Sequence, residues 1–195
     1  MGGAFCVSSY PGDLRKHVCA RRCRAFWMGW GRYVDVRLAR LDELDAVMGI
    51  YDSARRFMRE HGNVSQWPVG VPAREEIAGD IAAGDCYVLM QDGELVGVFC
   101  FLLGDDPTYA VIEDGSWRSD TPYGTIHRVA SAGIAHGVTK ACFDFCAGRM
   151  SHLRIDTHED NLPMQRAIER YGFERRGIIH IADGSPRIAY DYLAE

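Results

Sequence analysis

From residue 34 onward, apolar positions fall into two alternating rhythms. Residues 34–41 read as a strand with Val36 and Leu38 on one face. Asp42 is placed to cap a helix whose apolar stripe is Leu44, Val47, Met48, Tyr51 and Met58. His61-Gly62-Asn63 stops that helix, and Gln66-Trp67-Pro68-Val69-Gly70-Val71-Pro72 reads as a loop. A second helix over 73–83 turns Ile77 and Ile81 inward and ends at Gly84-Asp85. Apolar runs at 86–90 and 95–103 flank Gln91-Asp92-Gly93-Glu94, and Asp-Gly between two such runs predicts a hairpin.

Residues 104–124 form a long polar and aromatic connection containing Tyr109, Glu113, Asp114, Trp117 and Tyr123. Connections of that length commonly carry function. Residues 126–131 predict a strand, and 137–148 a helix with Val138, Ala141, Cys142, Phe145 and Cys146 on one face. A strand over 153–157 and a helix over 161–171 follow, the helix turning Met164, Ala167, Ile168 and Tyr171 inward. Strands over 173–181 and 187–192 close the chain around Asp183-Gly184-Ser185-Pro186. The order β-α-α-β-β-β-α-β-α-β-β, with hairpins in the middle and a late strand–helix–strand unit, implies an α/β fold. It has one central mixed sheet of α+β type, flanked by helices on both faces.

Composition narrows the function classes. The chain has 195 residues, 47% hydrophobic and 25% charged, which suits one globular domain with its own core. No run approaches the ~20 apolar residues that span a bilayer, so no membrane partner is expected. The net charge of -5 argues against a general nucleic-acid binder. That average conceals an asymmetry. Residues 1–34 hold six basic residues (Arg15, Lys16, Arg21, Arg22, Arg24, Arg32) against Asp13, about +5, so 35–195 carry about -10. The head reads as a partner-binding tail, a targeting segment or an extended start, and a dispensable, weakly ordered extension is the favoured reading. A nucleic-acid or protein adaptor acting through this head is a further reading, to be recognised by salt-sensitive binding. Of seven cysteines, Cys86, Cys100, Cys142 and Cys146 sit inside apolar patterns and read as small hydrophobes. Neither Cys19/Cys23 nor Cys142/Cys146 has zinc spacing with a second pair. Reduced thiols in a cytoplasmic protein without a structural metal are therefore expected.

Two constellations carry candidate chemistry. The first is the strand–turn–helix from Ile126 to Cys146, where Gly133 and Gly137 let backbone approach a ligand and a helix N-terminus faces it. Amides there suit a pyrophosphate, although many strand-to-helix turns contain glycine for structural reasons alone. The second is Asp156-Thr157-His158-Glu159-Asp160-Asn161-Leu162-Pro163, followed by a helix and Gly172-Phe173. By itself it reads as an Asn N-cap, a first-turn Pro and a C′ glycine.

Together the two resemble the GNAT superfamily of N-acetyltransferases across about residues 36–192. Asn161, the short helix and Gly172-Phe173 resemble its late Asn-helix-Gly-Phe signature, and Ile126-His127-Arg128-Val129-Ala130-Ser131 leading to His136-Gly137-Val138 resembles its acyl-CoA motif. Within the superfamily the chain looks like a bacterial small-substrate branch. The resemblance implies the GNAT acyl-CoA N-acyltransferase fold and acetyl-CoA as co-substrate. It implies contacts from Val129, Ala130, Ser131, Ile134, Ala135, His136, Gly137, Val138, Thr139, Lys140 and Asn161. It also implies direct attack of a small-molecule amine on the thioester, with the oxyanion held by amides near Val129. The protein is compatible with a homodimer.

Candidate bases are Glu113, a loop acid beside Trp117 where desolvation would raise its pKa, and His127, on the strand that carries the acyl group; both also have ordinary structural readings. Gln66, Trp67 and Trp117 are candidate walls of an amine pocket, although Trp67 equally suits an anchor of its loop. Three positions depart from the family. Ile134 and Thr139 stand in the phosphate loop where other residues are usual, and Ile168 stands where a Tyr often protonates the leaving thiolate. Tyr171, one turn on, is the candidate replacement, with packing as its other reading. These departures keep a second function open: a weakly active or inactive GNAT-like acyl-CoA-binding or regulatory module.

Overall fold

The structure is a computed structural model and describes residues 33–194. The basic head up to Arg32, with its cysteines and tryptophans, lies outside the described residues. The elements run β1 (Asp35–Leu38), α1 (Leu44–Glu60), α2 (Arg74–Ala83), β2 (Cys86–Gln91), β3 (Glu94–Leu103), β4 (Gly124–Ser131), α3 (Val138–Ala147), β5 (His152–Thr157), α4 (Leu162–Tyr171), β6 (Glu174–His180) and β7 (Pro186–Leu193). Their order is the one the sequence predicts. The strands form one sheet, β1-β2-β3-β4-β5-β7-β6. Neighbours are antiparallel except β4 and β5, which are parallel and joined through α3. Among the described residues no helix is long and apolar enough to cross a membrane.

Local chemistry explains most boundaries. Asp92 and Gly93 both adopt positive φ, 53° and 86°, the geometry of a two-residue hairpin. The first strand is shorter than expected, ending at Leu38, and Asp42 does not cap α1. It sits inside a 3-10 turn, Leu41–Glu43, where the Glu43 carboxylate accepts the Arg40 amide at 3.1 Å and both Arg37 guanidinium nitrogens, at 2.8 and 2.5 Å. A carboxylate one residue later holds more donors than Asp42 does, so the turn tightens before the helix begins.

The sheet is covered by different means on its two faces. On one face α3 and α4 bury Cys142, Phe143, Cys146 and Ile168 against Leu89, Phe99, Ile126, Leu153, Ile155 and Tyr190. On the other, α1 and α2 cover only the β1–β4 half, packing Val47, Ile50, Tyr51, Ile77 and Ile81 onto Val88, Val98, Cys100 and Ala130. The remaining half is covered by the connection between β3 and β4, whose Tyr109 and Tyr123 form a third cluster with Ile179 and Ala189. β5 is built for this division: Leu153 and Ile155 face the helices, while His152, Arg154 and Asp156 face the connection.

Polar pins hold the connection down. Glu113 and Ile178 exchange backbone hydrogen bonds of 2.8 and 2.9 Å. Gly115 is pressed so closely on β6 that a Cβ there would lie 1.7 Å from the Arg176 carbonyl oxygen. Arg118 donates its Nε to Asp191 at 2.8 Å and its backbone amide to the same carboxylate at 3.1 Å, with Glu174 as a further partner at 2.8 Å. The Asp191 side chain is 0% exposed. Tyr109 donates its hydroxyl to Asp156 at 2.6 Å. His152 Nδ1 lies 3.0 Å from the Thr121 hydroxyl, and its Nε2 is buried with no partner.

Two outcomes follow. Asp191→Ala removes the buried carboxylate that accepts both the Arg118 amide and its Nε, leaving the guanidinium only the exposed Glu174, and lowers unfolding free energy by about 3 kcal/mol, measured in urea; a loss under ~1 kcal/mol would contradict the pinning. Burial pushes the His152 imidazole below its usual 6.5, outweighing the hydrogen bond at Thr121. Below that pH the unfolded chain binds the extra proton, so stability falls as pH drops through 6.5 and toward the lower native value. Thermal unfolding from about pH 7.5 to about 5, a span that brackets the ordinary histidine value, shows a fall that His152→Gln flattens.

Candidate active site

The geometry of β4 defines the site. Its parallel ladder with β5 pairs Gly124 with Leu153, Thr125 with Arg154 and Ile126 with Ile155, and stops there, while β4 itself runs on to Ser131. Against β3, Cys100 pairs with His127 and Val98 with Ala130, so Phe99 faces both Arg128 and Val129. This is a bulge, and Arg128 takes φ 54° to make it. A left-handed non-glycine residue costs about 1–2 kcal/mol. Arg128 is held by two carboxylates of α2, Glu76 and Asp80, the latter at 2.6 Å. Cys100 donates its thiol to Asp80 at 3.3 Å. The bulge re-aims the backbone of Val129 where β4 has parted from β5, and a V-shaped opening results.

The expected acyl-CoA residues lie on one continuous stretch beyond it. Val129, Ala130 and Ser131 end β4; Ile134, Ala135, His136 and Gly137 belong to the loop; Val138, Thr139 and Lys140 open α3. The Ser131 hydroxyl accepts the Gly133 amide at 3.1 Å. Gly137, at φ 77°, turns the chain into α3, whose start has no side-chain cap. Its first amides are thus of the kind that receive an anion. Ile134 is 69% exposed, and Lys140 is paired with Asp144 at 2.7 Å. Asn161 is engaged at both ends of its amide. Oδ1 accepts the Met164 amide at 3.3 Å as the α4 cap, and Nδ2 donates to Gln66 Oε1 at 2.8 Å. Gln66 Oε1 also accepts from Asn63 at 2.8 Å, which ties the α1–α2 loop to the start of α4. Trp67 packs edge-on against Tyr51 with centroids 5.5 Å apart, as a loop anchor does.

The second half of the site faces the connection. His127 Nε2 donates to Asp106 Oδ2 at 2.7 Å, and the ring lies edge-on to Tyr109. Burial raises the Asp106 carboxyl, but hydrogen bonds from His127 and the Thr108 amide outweigh it and hold the pKa at about 2. The carboxylate is therefore ionised at neutral pH. It fixes the proton on Nε2 and leaves Nδ1 as the basic nitrogen of His127. Asp106 opens onto a groove of about 410 Å³, walled by Tyr109, Trp117 and Tyr123, with Arg154 beneath and Asp105 and Asp120 exposed beside it. Trp117 stacks on Tyr109 and donates its indole N–H to the Tyr109 carbonyl at 3.1 Å.

The remaining candidates sit elsewhere. Glu113 is exposed, and its backbone rather than its carboxylate makes the bridge to β6, so the expected desolvation beside Trp117 does not occur. Tyr171 lies among the rings of Phe143, Phe173 and Tyr192 rather than on the groove. Burial and the Asp144 carboxylate raise its phenol. Ile168 is fully buried in the α3–α4 core. Asp106 and Arg154 escaped the sequence reading. Asp106 had a signal, an acid directly before Pro107 that accepts the Thr108 amide. Arg154 had another, a charged residue inside a strand too central to leave either face in water.

No protein-family profile and no curated protein sequence matches the chain. Solved structures do. An acetyltransferase of the GNAT family from Streptococcus agalactiae is 29% identical, covering 85% of this chain and 99% of its own, with a TM-score of 0.76. A GNAT-family acetyltransferase from Bacillus cereus is 18% identical over 84% and 99%, TM-score 0.56. An aminoglycoside acetyltransferase in complex with coenzyme A and kanamycin is 21% identical over 83% and 95%, TM-score 0.56. The last two show the fold alone. With the parted β4–β5 pair, the bulge and the loop leading into α3, this likeness places the chain in the GNAT superfamily of acetyltransferases.

Proposed function

We propose that the protein is a cytosolic N-acetyltransferase that moves an acetyl group from acetyl-CoA to the primary amine of a small molecule or amino-acid derivative. The observation that carries this reading is the His127–Asp106 pair, 2.7 Å apart, on the bulged strand beside an aromatic groove. Exposed loop amides between Ser131 and Val138 suit a pyrophosphate, and the opening between β4 and β5 suits the pantetheine arm. The thioester supplies the acyl group. His127 Nδ1 takes the proton from the incoming amine, directly or through one water, and Asp106 steadies the imidazolium that forms. The amine nitrogen bonds to the carbonyl carbon and the carbon–sulfur bond breaks. The backbone N–H near Val129 faces the charge that develops on the carbonyl oxygen. The proton held by His127 then passes to the departing thiolate. Asp106 acts through His127 and is a positioning residue.

A second reading, a weakly active acyl-CoA-binding module, is favoured by the exposed Ile134 in the phosphate loop and by the buried Ile168. One experiment separates the two. Acetyl-CoA at millimolar concentration raises the melting temperature of the wild type and of His127→Ala alike, while His127→Ala lowers kcat on an amine panel by roughly 10²–10⁴-fold. Absence of any stabilisation by acetyl-CoA overturns the transferase reading. Stabilisation with equally low turnover in both proteins favours the module.

A further inference from the structure

Arg154 is 5% exposed; Asp191, its register partner on β7, and Asp120 act on its charge from a distance, but neither forms an ion pair with it. Other inward-facing arginines are paired: Arg118 with Asp191 at 2.8 Å, Arg128 with Asp80 at 2.6 Å, Arg187 with Asp156 at 3.9 Å. Arg154 has no carboxylate within salt-bridge distance among the described residues. Its guanidinium lies 4.0 Å from the Trp117 ring centroid and 3.8 Å from that of Tyr123, held between the two rings. One hydrogen bond, from Nη2 to the Ser119 carbonyl at 3.1 Å, fixes its orientation. Its Nε is buried with no partner. A buried cation without a hydrogen-bonded anion is destabilising, and an anion that joins it relieves that cost. The same residue lines the groove that Asp106 opens onto.

Strand register relates the two ends of the groove. Arg154 pairs with Thr125, and His127 lies two residues further along β4 on the same face. From strand spacing and rise, the two Cα atoms are about 8 Å apart. At one end the ionised Asp106 carboxylate lines the groove with His127 hydrogen-bonded to it, a pair suited to an amine. The other offers a guanidinium stacked between aromatic rings, suited to a planar carboxylate. Asp105 and Asp120 at the exposed rim repel simple anions, so an anion enters only when it carries a compensating ammonium.

We propose that Arg154 is a specificity-determining residue that binds a carboxylate on the acceptor, so that the acceptor is an amino acid or a similar zwitterionic amine. This rests on the transferase reading above and names its substrate class. The test compares acetyl-CoA consumption by the full chain on L-amino acids, each beside its carboxamide and its decarboxylated amine. The expected result is that kcat/KM for the preferred acid exceeds that for its amide and amine by roughly 10–100-fold, most of it in KM. Arg154→Gln collapses that preference toward unity and Arg154→Lys restores it in part. The wild-type comparison stands even if Arg154→Gln does not fold. Transfer to amides and amines as efficient as to acids overturns the assignment of Arg154 while leaving the transferase intact. Acetyl-CoA binding without transfer to any member of the panel overturns both.

Discussion

Strand β4 cannot follow β5 past Ile126 and also follow β3 to Ser131, because Arg128 interrupts it with a left-handed turn of the backbone. The interruption is held from outside the strand. Arg128 reaches α2, where Glu76 and Asp80 receive its guanidinium. The α1–α2 layer, the bulge and the opening between β4 and β5 are therefore one mechanical unit. Without the carboxylates, the strained residue has nothing to offset its cost, and a straight β4 would close the sheet. The loop into α3 begins where this strand ends, so the position of the exposed amides depends on the same bulge.

The connection between β3 and β4 performs the complementary task. It serves as the second layer over β5–β7 and as the wall of the groove, and its cluster of Tyr109, Tyr123, Ile179 and Ala189 explains why so long a segment stays in place. Polar residues of β5 face it and bind it: His152 at Thr121, Arg154 at Ser119, Asp156 at Tyr109. A strand facing a helix would be apolar here. A strand facing an irregular segment must satisfy its backbone groups, and side-chain donors and acceptors do so. The chemistry of the groove is thus a by-product of how that half of the sheet is covered, since Asp106 and Trp117 both arrive on the connection.

The periodic parts of this architecture were legible in the amino-acid sequence. Ile77 and Ile81, the Asp92-Gly93 turn and the Asn161 cap with Gly172 carry local signals, and the structure realises them. Asp42 misled because capping propensity is local, while Glu43 gains its advantage from Arg37, which is brought close only when β1 is in place. Glu113 misled because proximity to Trp117 in the chain is not burial beside it. The site was half legible. Its loop and His127 lie on contiguous sequence, but the Asp106 partner, 21 residues away, and the stacked Arg154 exist only once the connection folds across β5. No periodicity encodes such a meeting.

The claim on which the rest turns is that the parted end of β4 and the loop into α3 receive the nucleotide-bearing arm of acetyl-CoA. Hydrogen–deuterium exchange with and without millimolar coenzyme A measures it at the amides themselves. Slowed exchange concentrated at residues 129–139 is expected, with smaller changes near Asn161 and none at β6 or the Glu113 bridge. Binding accompanied by unchanged exchange through 129–139, or protection confined to another surface, would contradict it.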